Sequence, residues 1–167
     1  MASRVSESNN WGADLHVCIH TNACNGKVSG TRIFSYNSTG EGRKAANAVY
    51  KVLAPLTPGK SESVSNYADL YEIKNTGCPC VYIECEFHDV PSIAKWIVEH
   101  TTEIGEAIAK GICNYYGVTY KAPIKASTTT SGTIYRVQVG AYSSKANAEA
   151  MQKKLKAAGF DGVITTK

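Results

Sequence analysis

A chain of 167 residues that is 43% hydrophobic and 19% charged, with a formal net charge of +4, holds enough apolar material for one ordinary core and a small appendix, which excludes a disordered protein. No stretch approaches the roughly 20 consecutive apolar residues that cross a bilayer, and the polar start, residues 1–10, lacks the apolar centre of a signal peptide, so the chain reads as soluble. The charge is uneven: residues 1–116 hold 10 Lys and Arg against 12 Asp and Glu, residues 117–167 hold 8 against 2, and such a basic tail attracts polyanions, be they nucleic acid, membrane or acidic wall polymer.

Residues 15–19 alternate, with Leu15, Val17 and Ile19 on one face and His16, Cys18 and His20 on the other, which predicts a half-buried strand. A second short strand fits 31–36. Residues 41–53 carry Ala45, Ala48, Val49 and Val52 at helical spacing before Pro55 and Pro58. Residues 70–73 read as a further short strand and 81–87 as a clearer one, introduced by the turn-like Gly77-Cys78-Pro79. One long helical region follows over 92–116. Strands alternating with amphipathic helices predict an α/β fold, a twisted sheet covered by helices.

Between 117 and 132 the periodicity is lost in a Ser/Thr/Lys-rich stretch, a solvated linker. Beyond it, 133–139 reads as a strand ended by Gly140, 145–158 as a helix with Ala148, Met151, Leu155 and Ala158 on one side and Gly159 at C′, and 163–165 as a closing strand. The tail is thus expected to be a small β-α-β module of about 35 residues, and the chain divides into 1–116, a linker over 117–132, and 133–167.

The six cysteines lie inside or beside apolar runs, and no C-x-x-C pair is present. They read as reduced core thiols rather than a disulfide framework or a zinc knuckle.

Two places carry candidate chemistry. The run VYIECEF puts Val81, Ile83, Cys85 and Phe87 on a buried face and Tyr82, Glu84 and Glu86 on the other. An acidic residue on the wet face of a strand is often only solvated, but a strand ending in a polar cluster is where α/β folds place sites. Glu84 and Glu86, about 6.5 to 7 Å apart on a strand, also fall inside the window for a glycosidase carboxylate pair. His20, at a strand end, is either a hydrogen-bonded structural residue or a metal ligand. On a strand His16 stands roughly 13 Å from it, so the two do not share an ion, and Val17 stands where the HExxH signature needs a glutamate.

The stretch RVSESNNWGADLHVCIHTNA over 4–23 resembles the zinc-binding segment of N-acetylmuramoyl-L-alanine amidases of the Amidase_3 family, in which a run GAD-L-x-x-S-I-H-x-N-A ends a central strand with a metal-binding histidine. The helix after Ser38 and the segment ADLY at 68–71 are also similar. CPCVYIECEF is similar to the family's P-x-x-L-V-E-x-x-F strand. The resemblance covers about 4–116 and implies zinc as cofactor, His20 as a ligand, Asn22 at the substrate and Glu84 as the catalytic acid/base. In that chemistry zinc polarises the amide carbonyl and activates a water, and the carboxylate moves the water's proton to the leaving amine. The implied substrate is the bond between the lactyl group of muramic acid and L-alanine. The family's first two ligands, a histidine and a glutamate, lie upstream of the matching segment and have no counterpart here, while Cys18 replaces the usual serine and is taken as a strand residue.

The tail, from Ile134 onward, resembles one β-α-β repeat of the SPOR family, which binds peptidoglycan glycan strands; Tyr135, Val137, Gln138, Gly140 and Ala141 stand at its signature places. A complete SPOR domain has two such repeats. The resemblances together imply a wall hydrolase, a bacterial autolysin or phage endolysin, secreted or released as a lysin and acting at the bacterial cell wall. Its partner would be peptidoglycan rather than nucleic acid or membrane, and Tyr135 and Gln138 would contact glycan. A homodimer through the half-module is a further expectation, since pairing two copies would rebuild the full sheet. Because only one family ligand is present, the chain alone is expected to bind zinc poorly and to be inactive, and a wall-binding fragment without activity is the alternative, beside the glycosidase using Glu84 and Glu86.

Overall fold

The computed structural model describes residues 1–123 and 137–165. By its contacts the chain falls into two units, Met1–Pro123 and Ile124–Lys167. The boundary lies inside the expected linker.

The first unit runs α1 (Ala2–Trp11), β1 (His16–Asn22), β2 (Arg32–Ser35), α2 (Glu41–Leu53), β3 (Ser63–Asn66), α3 (Tyr71–Asn75), β4 (Cys80–Phe87), α4 (Pro91–Glu99) and α5 (Thr101–Tyr116). The four strands form one mixed sheet in the order β1-β4-β2-β3. β1 runs parallel to β4 and β2 parallel to β3, with β2 and β4 antiparallel. The α/β expectation, a sheet covered by helices, is met.

One face of the sheet holds the main core. Ala45, Val49 and Leu53 recur four apart along α2, so they form a single stripe, and they meet Ile104, Ala107 and Ile108 of α5 over Ile33, Val81, Ile83 and Cys85. Burying each large aliphatic side chain contributes roughly 1.5 to 3 kcal/mol. The two helices approach closely at Gly111, where an added Cβ would stand 2.4 Å from the Val49 Cα. On the opposite face Cys18, Ile73 and Cys80 form a smaller cluster with Phe34, Leu70 and Tyr82.

Several sequence expectations change. Residues 70–73 are not a strand: Tyr71–Asn75 is one helical turn, because Leu70 and Ile73, three apart, both face the smaller cluster, which a strand would not permit. The region 92–116 is two helices broken at His100, whose ψ of 24° ends α4 and starts α5. Neither α1 nor β3 was expected. α1 is polar and buries only Val5, and it is tied down by Asn9, which donates to the Asn75 carbonyl at 3.0 Å and accepts from the Gly77 N–H at 2.8 Å. On β1, an edge strand, the expected inner residue Ile19 is 59% exposed while Cys18 is buried; Leu15 and Val17 pack against the main core and Ile19 does not. An apolar groove of about 510 Å³, bordered by Ile19, Ile97, Ile104 and Ile108, runs along this side.

All six cysteines are free, but only Cys18, Cys80 and Cys85 are buried; Cys24 is exposed and Cys78 and Cys113 are half-buried, so half of the expected core thiols lie at the surface of loops or helix ends.

In the second unit α6 (Lys145–Ala157) forms, with Gly159 at C′ in the left-handed region at φ 86°. Ala148, Met151 and Leu155 are its least exposed apolar positions, and Gln152 Nε2 donates to the Gly162 carbonyl at 2.7 Å. Of the expected flanking strands, residues 137–139 and 163–165 form no strand pairing among the described residues. Residues 133–136, including Tyr135, lie outside the described residues. Among the described residues no helix is long and apolar enough to cross a membrane.

Candidate active site

The parallel pairing of β1 with β4 places His20 opposite Glu84. The strand period then puts His16, Cys18 and His20 on the same face as Cys80, Tyr82 and Glu84. Here the outward residues of two sequence motifs line one face, with His20 and Glu84 toward the carboxyl ends of the two parallel strands.

His20 is one-third exposed. Its ring stacks on Tyr82 with centroids 4.6 Å apart, and Nε2 lies 3.8 Å from Glu72 Oε2. Glu84 is half-buried and its Oε2 has no hydrogen-bond partner. Burial pushes its carboxyl up to about 7, with the nearby His88 pulling the other way. A carboxyl titrating there holds or releases a proton near neutrality, the property of a general acid/base.

The loop that follows β1 closes over the strand end by polar contacts. Thr21 Oγ1 and His88 Nδ1 lie 3.0 Å apart, the His88 N–H donates to the Asn22 carbonyl at 2.9 Å, and Asp89 Oδ2 accepts from the Cys24 and Gly26 N–H groups, both at 2.8 Å. Those backbone donors hold the Asp89 carboxyl below the usual range. The Asn22 side chain turns back, its Oδ1 accepting from the Ala23 N–H at 2.8 Å.

Glu86 departs from the sequence reading. It is fully buried rather than on a wet face, accepting from the N–H of Gly30 at 2.6 Å, of Gly59 at 2.7 Å and of Phe87 at 3.2 Å. Both glycines are needed for this approach: a Cβ at Gly59 would stand 2.0 Å from the Gly30 nitrogen. Glu86 is a clamp on two loops. It is not a partner for Glu84 in glycoside cleavage.

Two members of the cluster, Glu72 and His88, had not been singled out. Glu72 sat in a segment read as a strand, and its approach to β1 exists only because α3 folds as a turn over the sheet. His88 follows Glu84 by four positions past the strand end, where no periodicity constrains direction.

The residues around His20 suit zinc in kind. An imidazole nitrogen and a carboxylate oxygen 3.8 Å apart stand within about half an ångström of the roughly 3.3 to 3.5 Å between two tetrahedral ligands bonded at 2.0 to 2.2 Å. As a pair they would supply two of the three protein ligands that a catalytic zinc generally takes. In the second unit Gln138 is exposed and its Nε2 donates to the Gly140 carbonyl at 3.4 Å.

Compared with known proteins, residues 1–114 match the family model of N-acetylmuramoyl-L-alanine amidases and residues 115–166 that of the SPOR domain. A sporulation-specific N-acetylmuramoyl-L-alanine amidase of Bacillus subtilis (strain 168) is 26% identical over 164 residues, covering 98% of this chain and 61% of that protein. The catalytic domain of CwlV, an N-acetylmuramoyl-L-alanine amidase from Bacillus (Paenibacillus) polymyxa var. colistinus, superposes with a TM-score of 0.64 at 24% identity, over 71% of this chain and 66% of that one. The catalytic domain of the CD27L endolysin targeting Clostridia difficile superposes with a TM-score of 0.60 at 23% identity, over 68% and 61%. The chain spans about three fifths of the length of the curated relatives it matches.

Proposed function

Because the chain belongs to the N-acetylmuramoyl-L-alanine amidase family, we propose that it forms part of a zinc-dependent peptidoglycan hydrolase that cleaves the N-acetylmuramoyl to L-alanine amide bond at the bacterial cell wall. The observation that carries this reading is the register pair His20 and Glu84, a metal-ligand type of side chain facing a carboxyl raised to about 7. His20 and Glu72 would hold the metal. Zinc, when bound, supplies Lewis acidity toward the scissile carbonyl and the attacking water.

Glu84 takes the proton of the attacking water and delivers it to the leaving nitrogen of L-alanine, so the C–N bond breaks as the new C–O bond forms. Asn22 lines the same strand end and offers its Nδ2 to the peptide. The apolar ring of Tyr82 fixes the His20 imidazole by stacking.

The division into a catalytic part over 1–116, a linker over 117–132 and a wall-binding module over 133–167 belongs to the same reading. The SPOR match implies peptidoglycan binding; Tyr135 and Gln138 are its proposed glycan contacts, and two copies of the half-module pair to complete one sheet. Exposed Val137, Val139 and Val163 support that pairing, since such side chains gain from cover. Release outside the cell, as an autolysin or an endolysin, follows from the substrate.

The test is product analysis on purified peptidoglycan, with the protein assayed in a version extended upstream. An amidase releases L-alanine amino groups and stops when zinc is chelated. Chelator-insensitive release of reducing sugar instead would overturn the reading.

A further inference from the structure

A second group of donors lies two positions down the strand from His20. A ring nitrogen of His16, the Cys18 sulfur and a Glu72 carboxylate oxygen all lie within 4.8 Å of one another. Three facts separate this group from a chance meeting of polar side chains. Glu72 is 3% exposed, and the cationic groups that face its carboxylate, Arg4 Nη1 and His20 Nε2, both stand at 3.8 Å, beyond hydrogen-bond length. A carboxylate buried in this way is costly unless a cation compensates it. Next, the His16 ring is already oriented, with Nδ1 3.0 Å from Ser8 Oγ, the kind of outer hydrogen bond that sets a ligating imidazole. Last, the Cys80 thiol, 4% exposed and in register with His16, packs against Cys18, itself 5% exposed, and so offers a second sulfur.

We propose that His16, Cys18 and Glu72, with Cys80 beside them, bind a borderline divalent cation of the zinc type. Imidazole, thiolate and carboxylate together suit zinc and its cobalt(II) substitute, whereas magnesium and calcium take oxygen ligands alone. Binding forms a metal–sulfur bond and sends the Cys18 proton to solvent. Cys18 and Glu72 are buried and His16 is half-buried against Ser8, so this ion ties α3 and the α1 end to the sheet rather than holding substrate.

The site shares only Glu72 with the proposed catalytic ligands, which makes the two readings separable. The 167-residue chain is loaded with cobalt(II), dialysed, and examined for metal content and for thiolate-to-cobalt charge-transfer absorption. One cobalt per chain with that absorption is expected. Cys18→Ser, which preserves shape, should remove the absorption and weaken binding roughly a hundredfold or more; His20→Ala should keep both. Absence of bound metal in the unaltered chain, or bound cobalt without the thiolate band, overturns the proposal without need of any variant. Cobalt that is lost in His20→Ala but kept in Cys18→Ser overturns it too, and would leave the amidase reading standing. Retained cobalt with no amidase activity in the upstream-extended protein would sink that reading and leave this site.

Discussion

His20 and Glu84 face each other in register across the parallel strands β1 and β4, although 63 positions separate them in the chain. The pairing brings the one histidine and the one carboxyl that the family resemblance marks to the same sheet face. Burial raises the Glu84 carboxyl to about 7, and its Oε2 has no hydrogen-bond partner.

Replacing Glu84 by Gln in an upstream-extended protein should lower turnover at least about a hundredfold, the usual effect of removing a positioned acid/base, while metal content stays unchanged. Assay of released amino groups alongside metal analysis checks both halves. A loss of less than tenfold would remove Glu84 from the chemistry.

The same substitution should change stability in a pH-dependent way. The folded Glu84 carboxyl is raised from 4.5 to about 7, so ionising it disfavours the folded state progressively above pH 4.5 and fully above about 7. Glu84→Gln should therefore be more stable than the parent at pH 8, by on the order of 1 kcal/mol once partial exposure is allowed for, with the advantage fading toward pH 4. Urea unfolding at the two pH values reads this directly, and a variant equally destabilised at both would contradict it.

Glu86→Gln should behave differently. Its amide keeps one acceptor oxygen and sets an NH₂ against a backbone N–H now held at 2.6 to 2.7 Å, a buried donor facing a donor. A loss of roughly 2 to 4 kcal/mol at neutral pH is expected from such a broken buried clamp. Activity per folded molecule should be little changed. Denaturant midpoints with and without the substitution measure the effect.

Gly111→Ala tests the α2–α5 contact. The new Cβ would meet Val49 backbone at 2.4 Å, so the helices must separate and the core around Ile104 and Ile108 loosen, despite the better helix propensity of alanine. A net destabilisation of about 1 to 3 kcal/mol is expected. Thermal unfolding that rises instead would show the helices free to shift.

Pairing through the half-module predicts a concentration-dependent dimer of the full chain that disappears when residues 133–167 are removed. Sedimentation velocity with and without denuded glycan strands distinguishes the states. A glycan-binding monomer at every concentration would rule pairing out.

The sequence alone carried the strongly periodic parts. The stripe of Ala45 and Val49 set α2, and alternation in VYIECEF set β4 with Val81, Ile83, Cys85 and Phe87 inward, because burial on one face leaves a period that a window of residues displays. His20 and Glu84 were legible as candidates for the same reason, each ending an apolar strand. What only the tertiary structure decided lies where no local period exists. α1 is helical with a single buried residue and depends on Asn9 reaching the loop before β4. Glu86 alternates as a wet-face residue but is enclosed by Gly30 and Gly59, contributed by two loops far away in the chain. Glu72 meets His16, Cys18 and His20 because a five-residue turn sits on the sheet, a placement set by Leu70 and Ile73 entering the small core and by nothing in the spacing of the donors themselves.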